Sequence, residues 1–274
     1  MLQLNGTQPP PLTEFSFEGL VDEEWAVALV QANWNKGLVL CAVYVALVFG
    51  GQHYMKSRPK MDLRLPLVLW SLALAIFSIG GAVRTGSYMI HILSSDGFRR
   101  SICEQSFYTA PVNRFWSFAF VVSKIPELGD TAFIVLRKQK LIFLHWYHHI
   151  TVLLYSSYCY KNMAPGGGWF MSMNFCVHAL MYSYYTARAA RLPVPRAFAM
   201  LITCTQIAQM AMGLTVSGLT YVWMQEDDCL SSMDNVTGGV IMYLSYLVLF
   251  SNFFYHTYLC RCHSAAKDKA GKLE

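Results

Sequence analysis

The chain has 274 residues, of which 55% are hydrophobic and only 14% charged, and its mean hydropathy is positive at +0.34. That composition excludes an ordinary soluble domain and points to an all-α polytopic membrane protein, because helices satisfy their own backbone in lipid. The net charge of +5 is spread among apolar runs and forms no nucleic-acid face.

Residues Met1 to Phe17 are polar and Pro-rich, with neither a basic n-region nor an apolar h-region, so no cleavable signal is expected. Since about 20 apolar residues cross a bilayer, spans are predicted at 36–54, 66–91, 113–136, 141–160, 167–187, 197–223 and 238–259. This gives one membrane domain, 1–274, with an N-terminal tail 1–35, a seven-helix core 36–259 and a basic tail 260–274. Basic residues gather after the odd spans, at Lys56 to Arg64, Arg137 to Lys140, Arg188 to Arg196, and in the tail. The positive-inside rule then places the N-terminus in the lumen and the C-terminus in the cytosol.

Two sequons, Asn5-Gly-Thr7 and Asn235-Val-Thr237, fall on the lumenal side and are candidate glycosylation sites. Cys103 and Cys229 fall in lumenal loops, where they form either a disulfide or two free thiols; the oxidising compartment makes the bridge the expected state. Cys41, Cys159, Cys176 and Cys204 lie in spans as small core residues, and Cys260 and Cys262 flank the cytosolic face as undecided acylation candidates. Arg84, near the lumenal end of span two, is expected to snorkel to the interface.

Polar residues in the remaining spans recur at helical spacing. Span three carries Lys124, Glu127, Asp130 and Thr131 around Pro126, and span four opens on His145, His148 and His149. Span five holds Asn174, His178 and Tyr182, and span six Thr203, Gln206 and Gln209. At about 1.5 Å per residue from each cytosolic end, His148, His178, Asp130 and Gln206 all lie roughly 10–15 Å deep. Groups this polar in hydrocarbon are costly unless they share a site, so one active site reached from the cytosol is expected.

Three chemistries compete. A di-iron oxidase needs many imidazoles, and only four of eight histidines lie at the common depth; a zinc site would crowd three ligands into one helical turn. A lipid transporter fits the intramembrane charge, the Pro kink and the Gly166-Gly-Gly168 turn, yet no repeated pair of broken helices accompanies them. Acyl transfer with an imidazole nucleophile needs only the stripe itself.

Four motifs in order, Lys124-x-x-Glu127-x-x-Asp130-Thr131, His145-x-x-His148-His149, Asn174-x-x-His178-x-x-Met181-Tyr182 and Thr203-x-x-Gln206-x-x-Gln209, resemble the very-long-chain fatty acid elongase (ELOVL) family. Trp146 within the histidine box and Gly166-Gly-Gly-Trp169-Phe resemble the branch acting on saturated and monounsaturated chains. The resemblance implies an acyltransferase of the endoplasmic reticulum membrane that condenses long-chain acyl-CoA with malonyl-CoA to a 3-oxoacyl-CoA two carbons longer. It implies no cofactor or metal, a membrane-lipid setting, and as protein partners the other enzymes of the microsomal elongation cycle or a second copy of the chain.

Within that reading His148 is the expected nucleophile, because Cys176 and Cys204 are about 200° around their helices from the motif residues; the alternatives are His178 as the acyl carrier, or His148 as base for direct attack on bound acyl-CoA. His178 and Asn174 would steady developing charge, with Thr203, Gln206, Gln209 and Tyr182 contacting substrate. His145 and His149 would orient His148 or move protons, and Lys124, Glu127 and Asp130 would hold the field. Arg137, Lys138, Lys140, Arg188 and Arg191 would receive the CoA phosphates, and an apolar tunnel would take the tail.

Overall fold

A computed structural model describes residues 12–226 and 229–260. Eleven α-helices account for most of them: α1 (Glu23–Asn33), α2 (Lys36–Met55), α3 (Arg64–Ser95), α4 (Gly97–Cys103), α5 (Ser106–Thr109), α6 (Pro111–Glu127), α7 (Gly129–Leu136), α8 (Phe143–Lys161), α9 (Gly167–Ala189), α10 (Arg196–Met224) and α11 (Met233–Phe254). No strand occurs among the described residues. Four helical stretches, Lys36–Met55, Arg64–Ser95, Arg196–Met224 and Met233–Leu259, are long and apolar enough to cross a membrane by length and composition. The chain is thus an all-helical, polytopic membrane protein. Helices α6 and α7, at 17 and 8 residues, are each too short to count alone, and α8 and α9 carry the histidine-bearing motifs.

Pairwise packing closes a ring. The long helix α3 lies along α9, α9 against α10, α10 against α11, α11 against α8, α8 against α6, and α6 returns to α3. Helix α2 stays outside, leaning on α7 and α8. The predicted third span is two helices, because Pro126 has no N–H to give and Leu128 and Thr131 bond three residues back at 3.1 and 3.2 Å. Gly129 follows at the break. A Cβ there would come within 2.9 Å of the Trp70 ring, so only glycine lets α3 press its indole against the joint.

One end of the ring is closed. The Cys103–Cys229 disulfide joins α4 to the segment before α11, and Gly166, in the left-handed region at φ +82, starts α9 while donating its N–H to Ile102 O at 2.7 Å. The predicted tail 1–35 contains structure from Leu12 onward. Asp22 caps α1 by accepting the Trp25 N–H, and Val21, Ala26 and Val30 are buried in the same core as Tyr108, Trp116 and Tyr160.

Arg84 has a carboxylate partner. It pairs at 2.5 Å with Glu18, whose carboxylate is fully buried and also accepts from Trp116 Nε1 at 2.6 Å and the Phe15 amide at 2.8 Å. A buried carboxylate recruits the available donors, and these come from segments far apart in sequence. Burial pushes this carboxyl up, but the Arg84, Phe15 and Trp116 hydrogen bonds outweigh it and hold Glu18 below the usual glutamate range.

Asn235 is corrected as a glycosylation candidate. It is buried in the first turn of α11, its Oδ1 accepting from Cys159 Sγ at 3.4 Å and its Nδ2 donating to Ser231 at 3.3 Å, which leaves the amide no room for a sugar. Asn5 and Cys262 lie outside the described residues.

Candidate active site

Inside the ring a cavity of about 320 Å³ is lined by Asp130 of α7, His145, His148 and His149 of α8, Asn174, His178 and Tyr182 of α9, and Thr203, Gln206 and Gln209 of α10. The common depth computed along separate helices is therefore a common place. A smaller space of about 50 Å³ continues toward the disulfide end between Val152, Tyr155, Cys159, Gly167, Phe170 and Tyr243. The two share His148, Asn174, Gln209 and Met210, and of the four site histidines only His148 faces both.

The spacing of the box puts all three imidazoles on one face of α8. The His145 and His149 rings are 4.5 Å apart, His149 and His148 5.5 Å, and His148 lies against Tyr246 of α11 at 5.0 Å. Tyr246 in turn donates to the His148 carbonyl at 3.3 Å and pairs with Thr151 at 2.5 Å. Among the described residues the buried Nδ1 of His149 has no hydrogen-bond partner.

Lys124 and Glu127 do not line the cavity; they stand behind it. Lys124 Nζ donates to both Glu127 oxygens, at 2.8 and 3.1 Å, and Ser123 donates to the same carboxylate at 2.9 Å. The ammonium also lies 4.1 Å over the Phe120 ring and donates to Asn174 Oδ1 at 3.1 Å. That last bond fixes the amide: its oxygen is spent on Lys124, so its two N–H groups are what Asn174 has left to offer. Glu127 Oε2 lies 3.9 Å from His178 Nδ1, which places a carboxylate behind the second imidazole.

Asp130 is held by Trp70 Nε1 and Tyr182 Oη, both at 2.7 Å, and the Tyr182 ring meets the His178 ring edge-on at 5.4 Å. Thr131 bonds to His145 Nε2 and to Tyr44. Gln206 approaches Met181 Sδ at 3.6 Å, while Thr203 turns its hydroxyl back to the Ala199 carbonyl. Cys176 and Cys204 are exposed on the outer faces of α9 and α10 and take no part in the lining.

The cationic candidates stand outside the cavity lining. None of Arg137, Lys138, Lys140, Arg188 and Arg191 lines the cavity, although all lie at its open end of the bundle. Lys138 turns toward the end of α2 and donates to the Lys56 and Arg58 carbonyls, since the loop from α7 to α8 passes outside the ring. Among the described residues a cation next to the lining is Arg196: it donates to Thr257 O at 2.9 Å and sits 5.7 Å over Tyr258, which does line the cavity. Sequence reasoning missed Tyr44, Trp70 and Tyr246, which are lone aromatics in apolar runs and carry no spacing signal.

The ELO family model, described as GNS1/SUR4 family, matches residues 29–267. The chain belongs to this family. It is 57% identical over 256 residues to human very long chain fatty acid elongase 6, covering 93% of this chain and 97% of that one. It is 48% identical over 237 residues to human very long chain fatty acid elongase 3, at 86% and 87% coverage. With the Drosophila melanogaster very long chain fatty acid elongase 6 it shares 47% over 249 residues, at 88% and 78%. All four polar motifs of this ELO chain lie within the matched span.

Proposed function

We propose that this chain is the condensing enzyme of fatty acid elongation, a 3-oxoacyl-CoA synthase, and that it works through an acyl group carried on His148. The names of its relatives support the activity. The observation that supports the carrier is the position of His148 at the junction of a polar cavity with an apolar extension, where a fatty acyl carbonyl and its tail would separate.

The bonds balance as follows. An imidazole nitrogen of His148 attacks the acyl-CoA carbonyl, the carbon–sulfur bond breaks, and the proton released by the imidazole ends on the CoA sulfur. Malonyl-CoA then enters and loses carbon dioxide. Its enolate carbon attacks the acyl carbonyl, the carbon–nitrogen bond breaks, and one proton restores His148. Asn174, oriented by Lys124, offers N–H groups to the developing oxyanion, and His178, backed by Glu127, stands on the facing helix.

The reading places the open end of the ring in the cytosol of the endoplasmic reticulum membrane. Seven crossings are made by α2, α3, the broken pair α6 and α7, α8, α9, α10 and α11, with the disulfide end lumenal. Arg196 is then the first cation the CoA phosphates meet, and the tail runs inward toward Cys159 and Gly167. Incubation with acyl-CoA alone tests the carrier. Stoichiometric CoA release and an acyl mass on the peptide containing His148 are expected, both absent in His148→Ala. A full burst from that variant excludes the mechanism.

A further inference from the structure

Tyr44 lies on α2, outside the ring, yet it reaches the site. Its hydroxyl is 2.7 Å from Thr131 Oγ1 on α7, and Thr131 Oγ1 is 2.9 Å from His145 Nε2 on α8. Tyr44 is 6% exposed and Thr131 fully buried, so water does not compete for the bond between them. Side chains from three helices, one of them far from the other two in sequence, meet in one hydrogen-bonded chain that ends on a cavity imidazole.

Counting hydrogens gives the chain a direction. Tyr44 and Thr131 have one hydroxyl hydrogen each, and among the described residues Thr131 is the hydrogen-bond partner of the Tyr44 hydroxyl. If Tyr44 donates, the Thr131 hydrogen is left for His145, and both hydroxyl hydrogens have an acceptor. The opposite direction buries the phenol hydrogen with nothing to accept it, which is the costlier arrangement. His145 Nε2 is then the acceptor, and its proton resides on Nδ1.

We propose that Tyr44 and Thr131 are positioning residues that lock His145 as the neutral tautomer protonated at Nδ1. With Nε2 engaged by Thr131, His145 takes up a second proton only by breaking that bond. A neutral ring of fixed orientation is thereby kept 4.5 Å from His149, which adjoins His148 in turn. No proton passes along the chain; it sets the state of the ring next to the working imidazoles. The kinetic part of this inference rests on His148 as the acyl carrier, whereas the tautomer does not.

Full-length protein labelled with nitrogen-15 at histidine provides the test, the His145 signals being assigned by their loss in His145→Gln. Wild type is expected to show an unprotonated Nε2 and a protonated Nδ1 at His145, and Tyr44→Phe, which keeps the packing against Val48, Met55 and Val135, a mixture of tautomers. Thr131→Val should lower kcat at least about tenfold with KM for both substrates within about twofold, because the ring beside the working imidazoles loses its fixed state. Thr131→Ser, which restores the hydroxyl, should recover most of that loss. A proton on Nε2 in the wild type overturns the proposal, and so does a Thr131→Ser as slow as Thr131→Val. Turnover of wild type without acylation of His148 overturns the carrier instead and leaves the tautomer result standing.

Discussion

At the disulfide end a carboxylate, Glu18, is completely buried and its oxygens are taken by Arg84, Trp116 and the Phe15 amide. Around His148 the same kind of burial is left open: Asn174 has amide hydrogens to spare, and His149 Nδ1 is buried without a partner among the described residues. A satisfied polar cluster holds segments together. An unsatisfied one bordering a cavity has groups to lend to a substrate, at some cost in stability. The same chain thus satisfies the buried Glu18 carboxylate completely and leaves polar groups beside the cavity with hydrogen-bonding capacity to spare.

Mutations should separate the two uses. The largest effect expected is on anchoring: Arg84→Ala strands the Glu18 carboxylate and should cost about 3–5 kcal/mol of stability, seen as a large fall in melting temperature in detergent. Acidification should act in the same direction. Because Glu18 is held below its ordinary value of about 4.3, its contribution is full above that pH and is lost as pH falls through the lowered value. Melting temperatures of wild type and Glu18→Gln should therefore converge on acidification; a constant gap would break the comparison.

Next comes the site. Asn174→Ala removes a donor and should lower kcat by roughly 10²–10³ with little change in melting temperature, the reverse of the Arg84 pattern. Cys103→Ala opens a loop with a sequence separation of 126 and should cost roughly 2–4 kcal/mol of stability while leaving kcat of the folded fraction within about twofold. The smallest effect is assigned to Lys138→Ala, which turns away from the cavity; KM for acyl-CoA should change less than about twofold, whereas Arg196→Ala should raise it several-fold. An equal rise in both would return Lys138 to the mouth.

The sequence alone determined which helices carry the polar motifs and at what level along each helix they lie. His145, His148 and His149 had to share a face, and Asp130, His178 and Gln206 had to lie at one level, because helical period and rise are local geometry that no packing alters. The same local rules marked the break beside Pro126. What only the tertiary structure decided is which side chains answer one another across helices. Arg84 finds Glu18 66 residues away, Tyr44 finds Thr131 87 away, and Trp70 finds Asp130 60 away. Asn235 reads as an exposed sequon until α8 covers it, and Lys138 reads as a mouth cation until its loop is seen outside the ring. Periodicity fixes a residue's own height and face; its partner is fixed by helix order around the ring, which depends on long-range packing that no local spacing encodes.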